Sequence, residues 1–98
     1  MQTVILINPI EVPVGEEEQF LKAWLEAAEH MRHAPGFRSL RLHKSLDPQA
    51  KFRFVNVAEW ESAQHWQEAV RTQPAKIKEA ILQRWPTAYP ALYQVIVE

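Results

Sequence analysis

The order of hydrophobic periods along the chain constrains its fold more than any other feature. Residues 3–10 are a nearly unbroken run of β-branched and apolar residues, which is typical of a strand buried on both faces. Residues 16–33 then place apolar side chains every three or four positions, as an amphipathic helix does. Alternating segments follow at residues 38–46 and 51–60, with a turn at residues 47–50 between them. The first half of the chain therefore predicts strand, helix, strand, strand.

The second half predicts another helical stretch and a last strand. Ser62 can cap a second helix, and helix restarts at Gln73-Pro74 because proline suits the first helical position. Residues 89–97 alternate again and predict the final strand. The apolar stripes of the three helical stretches are Phe20, Trp24, Ala27, Ala28 and Met31; Trp66, Ala69 and Val70; and Ile77, Ala80, Ile81 and Trp85. This order is the split βαβ pattern of a ferredoxin-like α+β sandwich, and we predict one domain over residues 1–98.

The predicted sheet has one face that its own helices cannot cover. Two crossover helices cover a single face, yet both parities of the first and third strands are rich in Val, Ile, Leu and Phe. A domain of 98 residues also buries only about 60–70% of the surface of its unfolded chain. A second copy of the chain is the simplest cover, so we predict a homodimer.

Composition excludes several classes of function and site. Net charge is −1, with 11 Lys plus Arg and 12 Asp plus Glu, so neither nucleic acid nor an anionic membrane is an expected partner. Cysteine is absent, which removes disulfides and thiolate chemistry. No signal peptide or membrane-length apolar run is visible, so we expect a cytoplasmic protein. With two glycines and no nucleophile or phosphate-loop motif, hydrolase, kinase and dehydrogenase chemistry is not indicated.

Three segments carry a resemblance to a known family. They are Ile7-Asn8-Pro9 in the first strand, Pro35-Gly36-Phe37 before the second, and Phe54-Val-Asn-Val-Ala-Glu-Trp-Glu-Ser62 at the end of the third. Together they resemble the antibiotic biosynthesis monooxygenase family, over nearly the whole chain up to Val70 and more loosely after Pro74. The resemblance implies a ferredoxin-like fold, two sheets paired into a dimeric α+β barrel, and a cleft between sheet and helices in each subunit.

The family resemblance leaves the activity open, because fold does not determine function. Some members oxidise polyketide-like aromatics with O₂ and no cofactor, others bind and degrade haem, and many have no assigned activity. Members that act on haem resemble this chain at Asn8 and Trp60. They also use a His well into the second helix as the iron ligand. At that depth this chain has Val70 and Arg71, and its nearest His is His65, so haem binding is disfavoured.

Two asparagines are the polar candidates. Asn8 interrupts an apolar strand and could hold a substrate carbonyl or O₂, or it could simply end the strand with a local side-chain bond. Asn56 shares strand parity with Phe54 and Trp60, a mixture of amide and rings that suits a ligand cleft, although a satisfied core Asn is an equal alternative.

Aromatic and imidazole side chains complete the candidate site. Trp60 and Trp66 could wall a pocket or simply pack the core, and Trp24 and Trp85 are expected in the core. His43 and His65 could transfer protons or lie on the surface. His30 and His33 are spaced for one helix face, but no third His stands at ligand spacing, so we predict no metal site.

These observations predict a cofactor-independent monooxygenase that acts on a small aromatic or quinol-like molecule. The alternatives are a non-catalytic small-ligand-binding or dimerisation module and, third, a haem-binding or haem-degrading protein. The predicted catalytic residues are Asn8, Trp60 and His65, and the predicted substrate-binding residues are Asn56, Trp66, His43 and Phe54. A substrate anion would pass an electron to O₂ directly, in a dry pocket with a few hydrogen-bond donors.

Overall fold

A computed structural model of the chain describes residues 3–84 and 87–98. In that part it has one antiparallel sheet of four strands in the order β2-β3-β1-β4, with three helices. The elements in chain order are β1 (Val4–Ile10), α1 (Glu17–Arg32), β2 (Phe37–Lys44), β3 (Phe54–Trp60), α2 (Ala63–Arg71), α3 (Ala75–Arg84) and β4 (Ala91–Tyr93). The predicted α+β fold class and the order of its elements are confirmed.

The two central strands decide which side chains face the helices. In β3 every second residue is buried, from Phe54 through Asn56 and Ala58 to Trp60. In β1, which pairs with β3 along its whole length, Leu6 and Ile10 are buried on the same side. The residues of the other parity are only partly buried, since no described helix lies over them.

Helix α1 forms where the apolar stripe predicts it, one residue shorter at each end. Glu17 and Glu18 lie in its first turn, where negative charge is favoured by the helix dipole. Its buried residues are Phe20, Ala27 and Ala28, all members of the predicted stripe. The helix stops before Pro35-Gly36, where Gly36 adopts a φ of 83° that other residues rarely take.

Helix α2 begins with the predicted cap. The Ser62 Oγ accepts a hydrogen bond from the His65 backbone N–H at 3.2 Å, which satisfies one of the free amides of the first turn. At the other end, the Thr72 N–H donates to the Glu68 carbonyl at 2.9 Å and the Gln73 N–H to the Val70 carbonyl at 3.3 Å. Pro74 then opens α3, its carbonyl accepting from Lys78 at 3.0 Å.

Proline lies inside β1 without breaking it. Pro9 pairs with Val55 of β3, and its carbonyl accepts from the Tyr89 N–H at 3.0 Å on the opposite edge. On that edge β4 pairs only with Ile5 to Ile7. No regular ladder therefore runs beside Pro9, and its lack of a backbone N–H leaves no ladder hydrogen bond unmade.

The last strand is much shorter than predicted. We expected it over residues 89–97, but β4 covers only Ala91–Tyr93, with an isolated bridge between Ile10 and Ala88. The register explains the difference: Tyr93 pairs with Ile5, and β1 begins one residue earlier, so a longer β4 would have no regular partner. Val95, Ile96 and Val97 are exposed as a result. Trp85, which we expected in the core, lies outside the described residues.

The described helices are shorter than a membrane span. α1, the longest described, has 16 residues, fewer than the roughly 20 that cross a bilayer. In residues 3–84 and 87–98, no helix is long and apolar enough to span a membrane.

Candidate functional site

A cavity of about 270 Å³ lies between the helix-facing side of the sheet and the three helices. Its sheet side is formed by Leu6, Asn8, Asn56 and Trp60, among others. Its helix side includes Trp24 and Met31 of α1, Trp66 and Val70 of α2, and Ile81 of α3. Such a space is at the small end of ligand pockets, which are mostly apolar with a few placed polar groups.

Asn8 and Asn56 lie side by side on the sheet side of the cavity. They are direct partners in the register of β1 and β3, and both point toward the helices because they share parity with the buried residues of their strands. Asn56 is 8% exposed. The Oδ1 atoms of both residues are buried and accept no hydrogen bond.

Trp60 and Gln73 contribute unpaired donors to the same cavity. Trp60 is 1% exposed, and its ring packs edge-on against Phe37 with centroids 5.4 Å apart. Its Nε1 donates to nothing, and neither does the buried Nε2 of Gln73, which lies in the turn between α2 and α3. Both residues line the cavity.

The described residues contain four buried side-chain nitrogen and oxygen atoms without a hydrogen-bond partner, and all four belong to residues that line this one cavity. Each such atom costs about 1–3 kcal/mol when nothing satisfies it. Native proteins have only a few unsatisfied groups, and each calls for an explanation. A polar ligand or water in the cavity would satisfy all four of them.

The cavity wall is otherwise apolar and uncharged. None of the described residues that line it is an Asp, Glu, Lys, Arg or His. A lowered carboxyl pKa occurs away from the cavity: the Lys44 ammonium and the Arg53 guanidinium beside Glu17 hold the pKa of that carboxyl below its usual range. A ligand in this cavity would therefore be held by hydrogen bonds and packing rather than by charge.

Of the seven predicted site residues, the structure brings four together. Asn8, Asn56, Trp60 and Trp66 all line the cavity. Trp24, which we expected in the core, is partly buried and lines it as well. Gln73 is the polar lining residue that sequence reasoning missed, since a glutamine before a proline between two helices looks like an ordinary turn.

The other three predicted residues lie outside the cavity lining. His65 is held at the start of α2, where its Nδ1 is 2.7 Å from the Ser62 Oγ and its ring covers Gly36. His43 is exposed on β2, on the side of the sheet opposite Leu42, and its Nδ1 lies 3.2 Å from the Val55 carbonyl. Phe54 is 2% exposed and stacks on Phe20 at 4.9 Å, as part of the core. The structure gives none of the three a direct contact with a molecule in the cavity.

The residues present do not fit haem. Iron in haem is held by His, Cys, Met or Tyr, and Met31 is the one such side chain among the described residues that line the cavity. At the depth of α2 where the family resemblance implied a His in a haem-binding member, the chain has Val70 and Arg71. No cluster of three metal-ligating side chains occurs among residues 3–84 and 87–98.

A second, open groove of about 490 Å³ lies on the other face of the sheet. Thr3, Ile5 and Glu59 form one side of it, and the C-terminal residues 95–98 form the other. The Thr3 hydroxyl donates to the Glu59 carboxylate at 2.9 Å across its base.

The chain matches a known protein family and resembles a solved structure over nearly its whole length. A family model described as antibiotic biosynthesis monooxygenase matches residues 3–77. A candidate monooxygenase from Shewanella loihica PV-4 is similar in structure at 33% identity and a TM-score of 0.84, with 99% of this chain and 97% of that one covered. No curated protein matches the chain.

Two further solved structures share the fold at lower identity. SnoaB, a cofactor-independent oxygenase from Streptomyces nogalater, is 21% identical with a TM-score of 0.79, over 100% of this chain and 97% of SnoaB. A heme-degrading protein from Mycobacterium tuberculosis is 23% identical with a TM-score of 0.69, over 98% of this chain and 96% of that one. Both a cofactor-independent oxygenase and a haem-degrading protein are thus built on this fold.

Proposed function

This chain belongs to the antibiotic biosynthesis monooxygenase family, and on that premise we propose that it is a cofactor-independent monooxygenase of a small aromatic or quinol-like molecule. One observation carries the proposal: an apolar cavity holds all four unpaired buried polar side-chain atoms of the described residues. The size of the cavity, about 270 Å³, suits one or two fused rings rather than a tetrapyrrole.

Five of the lining residues have a role in this proposal. Asn8 and Asn56 hold the hydroxyl end of the ligand, because their unpaired oxygens accept hydrogen bonds and an amide can also donate them. Trp60 donates its indole N–H to a ligand oxygen, and Trp66 and Trp24 form the walls. Donors that are already in position stabilise charge as it develops on that oxygen.

The reaction follows from the chemistry of a phenol in such a site. The phenolate passes one electron to O₂, and the resulting radical and superoxide combine to form a bond between ring carbon and oxygen. That carbon then loses its hydrogen as a proton, and the electron pair of the C–H bond forms the carbonyl as the O–O bond breaks. One oxygen atom becomes a ring carbonyl, and the other leaves as water with the two hydrogens taken from the phenol and the attacked carbon.

Proton transfer in this mechanism runs through water rather than through a lining side chain. The described lining contains no ionisable residue, and His65 and His43 lie outside it. The acidity of the ligand therefore sets the pH dependence of the reaction. This favours phenols with a stabilised anion.

The same absence of ionisable residues favours a second candidate, a binding module that holds such a molecule without oxidising it. Oxygen uptake separates the two functions. We would measure O₂ consumption with 1-naphthol, whose oxidation to 1,4-naphthoquinone follows the balance above, against Asn56→Leu and the exposed control Gln67→Met. Uptake that requires protein and is lost in Asn56→Leu supports the oxygenase. Binding of 1-naphthol without uptake supports the binding module.

Haem degradation is the third candidate, and the cavity opposes it. We expect hemin to bind weakly, without a shifted Soret band, and ascorbate not to open the ring. A tight complex with a His-ligated spectrum that disappears in His65→Ala would instead show that His65 can reach the iron.

We further propose that the protein works as a homodimer paired through the open face of the sheet. Ile7 and Val57 are partners on that face and remain partly exposed, as are Ile5 and Val55 beside them. Val95, Ile96 and Val97 are also exposed next to it, at 55%, 83% and 82%. A second copy would remove this apolar surface from water.

A further inference from the structure

The side chain of Gln73 lines the cavity, although the residue lies in the turn between α2 and α3. Its neighbours Thr72 and Pro74 are exposed to solvent. The Nε2 atom of Gln73, in contrast, is buried at the cavity without a partner. A buried unpaired donor is unfavourable unless something in the cavity accepts its hydrogen bond.

The backbone on both sides holds Gln73 in this position. Its own N–H donates to the Val70 carbonyl at 3.3 Å, and the preceding N–H of Thr72 donates to Glu68 at 2.9 Å. After it, the Pro74 carbonyl accepts from Ile77 and Lys78, both at 3.0 Å. The end of α2 and the start of α3 therefore set where its Cα lies, and the side chain closes the cavity from the helix side.

The two asparagines on the sheet side of the cavity present the opposite hydrogen-bond character. Asn8 and Asn56 are direct partners in the register of β1 and β3. Both Oδ1 atoms are unpaired, so the asparagines present acceptors and Gln73 presents a donor. Trp60 adds a second donor, because an indole N–H can only donate.

We propose that Gln73 is a specificity-determining residue that donates a hydrogen bond to a ring carbonyl or quinol oxygen at the end of the ligand away from its asparagine-bound hydroxyl. The ligand class that fits is a fused two-ring phenol with a second ring oxygen. This inference rests on the proposed function, since it assigns a recognition role within the same cavity.

Two probes that differ in a single oxygen test it. The first, 5-hydroxy-1-tetralone, has a phenol for the asparagines and a ketone for Gln73. The second, 5,6,7,8-tetrahydro-1-naphthol, has the same skeleton with a methylene in place of the ketone. Affinities of both are measured by isothermal titration calorimetry for wild type, Gln73→Met and the exposed control Gln67→Met, which lies on α2 outside the cavity lining.

We expect Gln73→Met to weaken the ketone probe by about fivefold to tenfold, the worth of one hydrogen bond, and to leave the other probe unchanged. Wild type should prefer the ketone probe by a similar factor, and Gln67→Met should behave as wild type. Gln73→Met should also melt no lower than wild type, because it removes an unpaired buried amide.

Two results would overturn the assignment while leaving the proposed function standing. One is binding of both probes to Gln73→Met with wild-type affinities, which would mean that Gln73 does not touch the ligand. The other is an equal loss for both probes together with a lower melting temperature, which would mean a structural role. If wild type binds neither probe, the proposed function fails and the role of Gln73 fails with it.

Discussion

Replacing Asn8 with leucine should stabilise the fold while it weakens ligand binding. The Asn8 Oδ1 is buried at the cavity and accepts no hydrogen bond. The strand does not need this side chain in order to end, because β1 continues through Pro9 to Ile10 with Asn8 paired to Asn56. Leucine has a similar volume and removes the unpaired acceptor.

The magnitude follows from the cost of that acceptor. An unpaired buried polar group costs about 1–3 kcal/mol, and the lower end applies because water in the cavity can partly solvate it. A gain of about 1 kcal/mol corresponds to a rise in melting temperature of roughly 4–8 °C for a domain of this size. If the Asn8 side chain instead satisfied neighbouring backbone, the same change would lower stability by about 1 kcal/mol or more.

Thermal melts and urea titrations followed by circular dichroism measure whether Asn8→Leu raises or lowers stability. Calorimetry with 1-naphthol measures the loss of binding. Asn56→Leu is the matched variant, because Asn56 is the register partner of Asn8 on the same face. The two changes should be non-additive when combined, since the residues are in contact range. A clear fall in melting temperature for Asn8→Leu would refute its assignment to the cavity.

Three other predictions concern assembly, a turn and pH. Light scattering should give a dimer mass at micromolar concentration, and the dimer should bury a total interface above roughly 1,000 Å². Ile7→Glu should shift the mass to that of a monomer, and the exposed control Leu46→Glu should leave it unchanged. Gly36→Ala should lower the free energy of unfolding in urea by at least about 2 kcal/mol, because φ is 83° and a Cβ would overlap the His65 ring. Gly15→Ala, with φ 91° and open space around it, should lower it by only about 1 kcal/mol. Equal losses would argue against the overlap. The pKa of Glu17 is lowered by its partners, so its stabilising contribution should be complete above the ordinary value of 4.5 and disappear as pH falls below it. Wild type and Glu17→Gln should therefore differ in stability at pH 7, and the difference should shrink as pH falls through the lowered pKa of Glu17. A difference that stays constant with pH would contradict the pairing.

Local periodicity was enough to predict most of the fold. The stripe that includes Phe20 and Ala27 predicts α1 to within one residue at each end, because one face of a helix must be apolar wherever it covers a sheet. The alternation from Phe54 to Trp60 predicts which residues of β3 are buried, because side chains in a strand alternate between faces. The last strand was predicted too long, since its length depends on where its partner β1 begins.

The candidate site was predictable only in part. Asn8, Asn56 and Trp60 could be named from the sequence because they lie on apolar strands where an amide or a large ring stands out. His65 could be named as a reactive residue, but its position beside Ser62 and Gly36 depends on how the turn before β2 packs against α2. Gln73 could not be named, because nothing local distinguishes an inward-pointing turn residue from an outward-pointing one.

By itself, the sequence determined the order of the elements, the parity of the strands and the candidate asparagines, because these depend on spacing along the chain and on the chemistry of each side chain. Tertiary structure alone decided that Asn8 and Asn56 are direct partners, that Trp24 lines the cavity and that Gln73 closes it. Those relations depend on strand register and on the placement of helices over the sheet. Register and helix placement arise from packing between residues far apart in sequence, so no local pattern contains them.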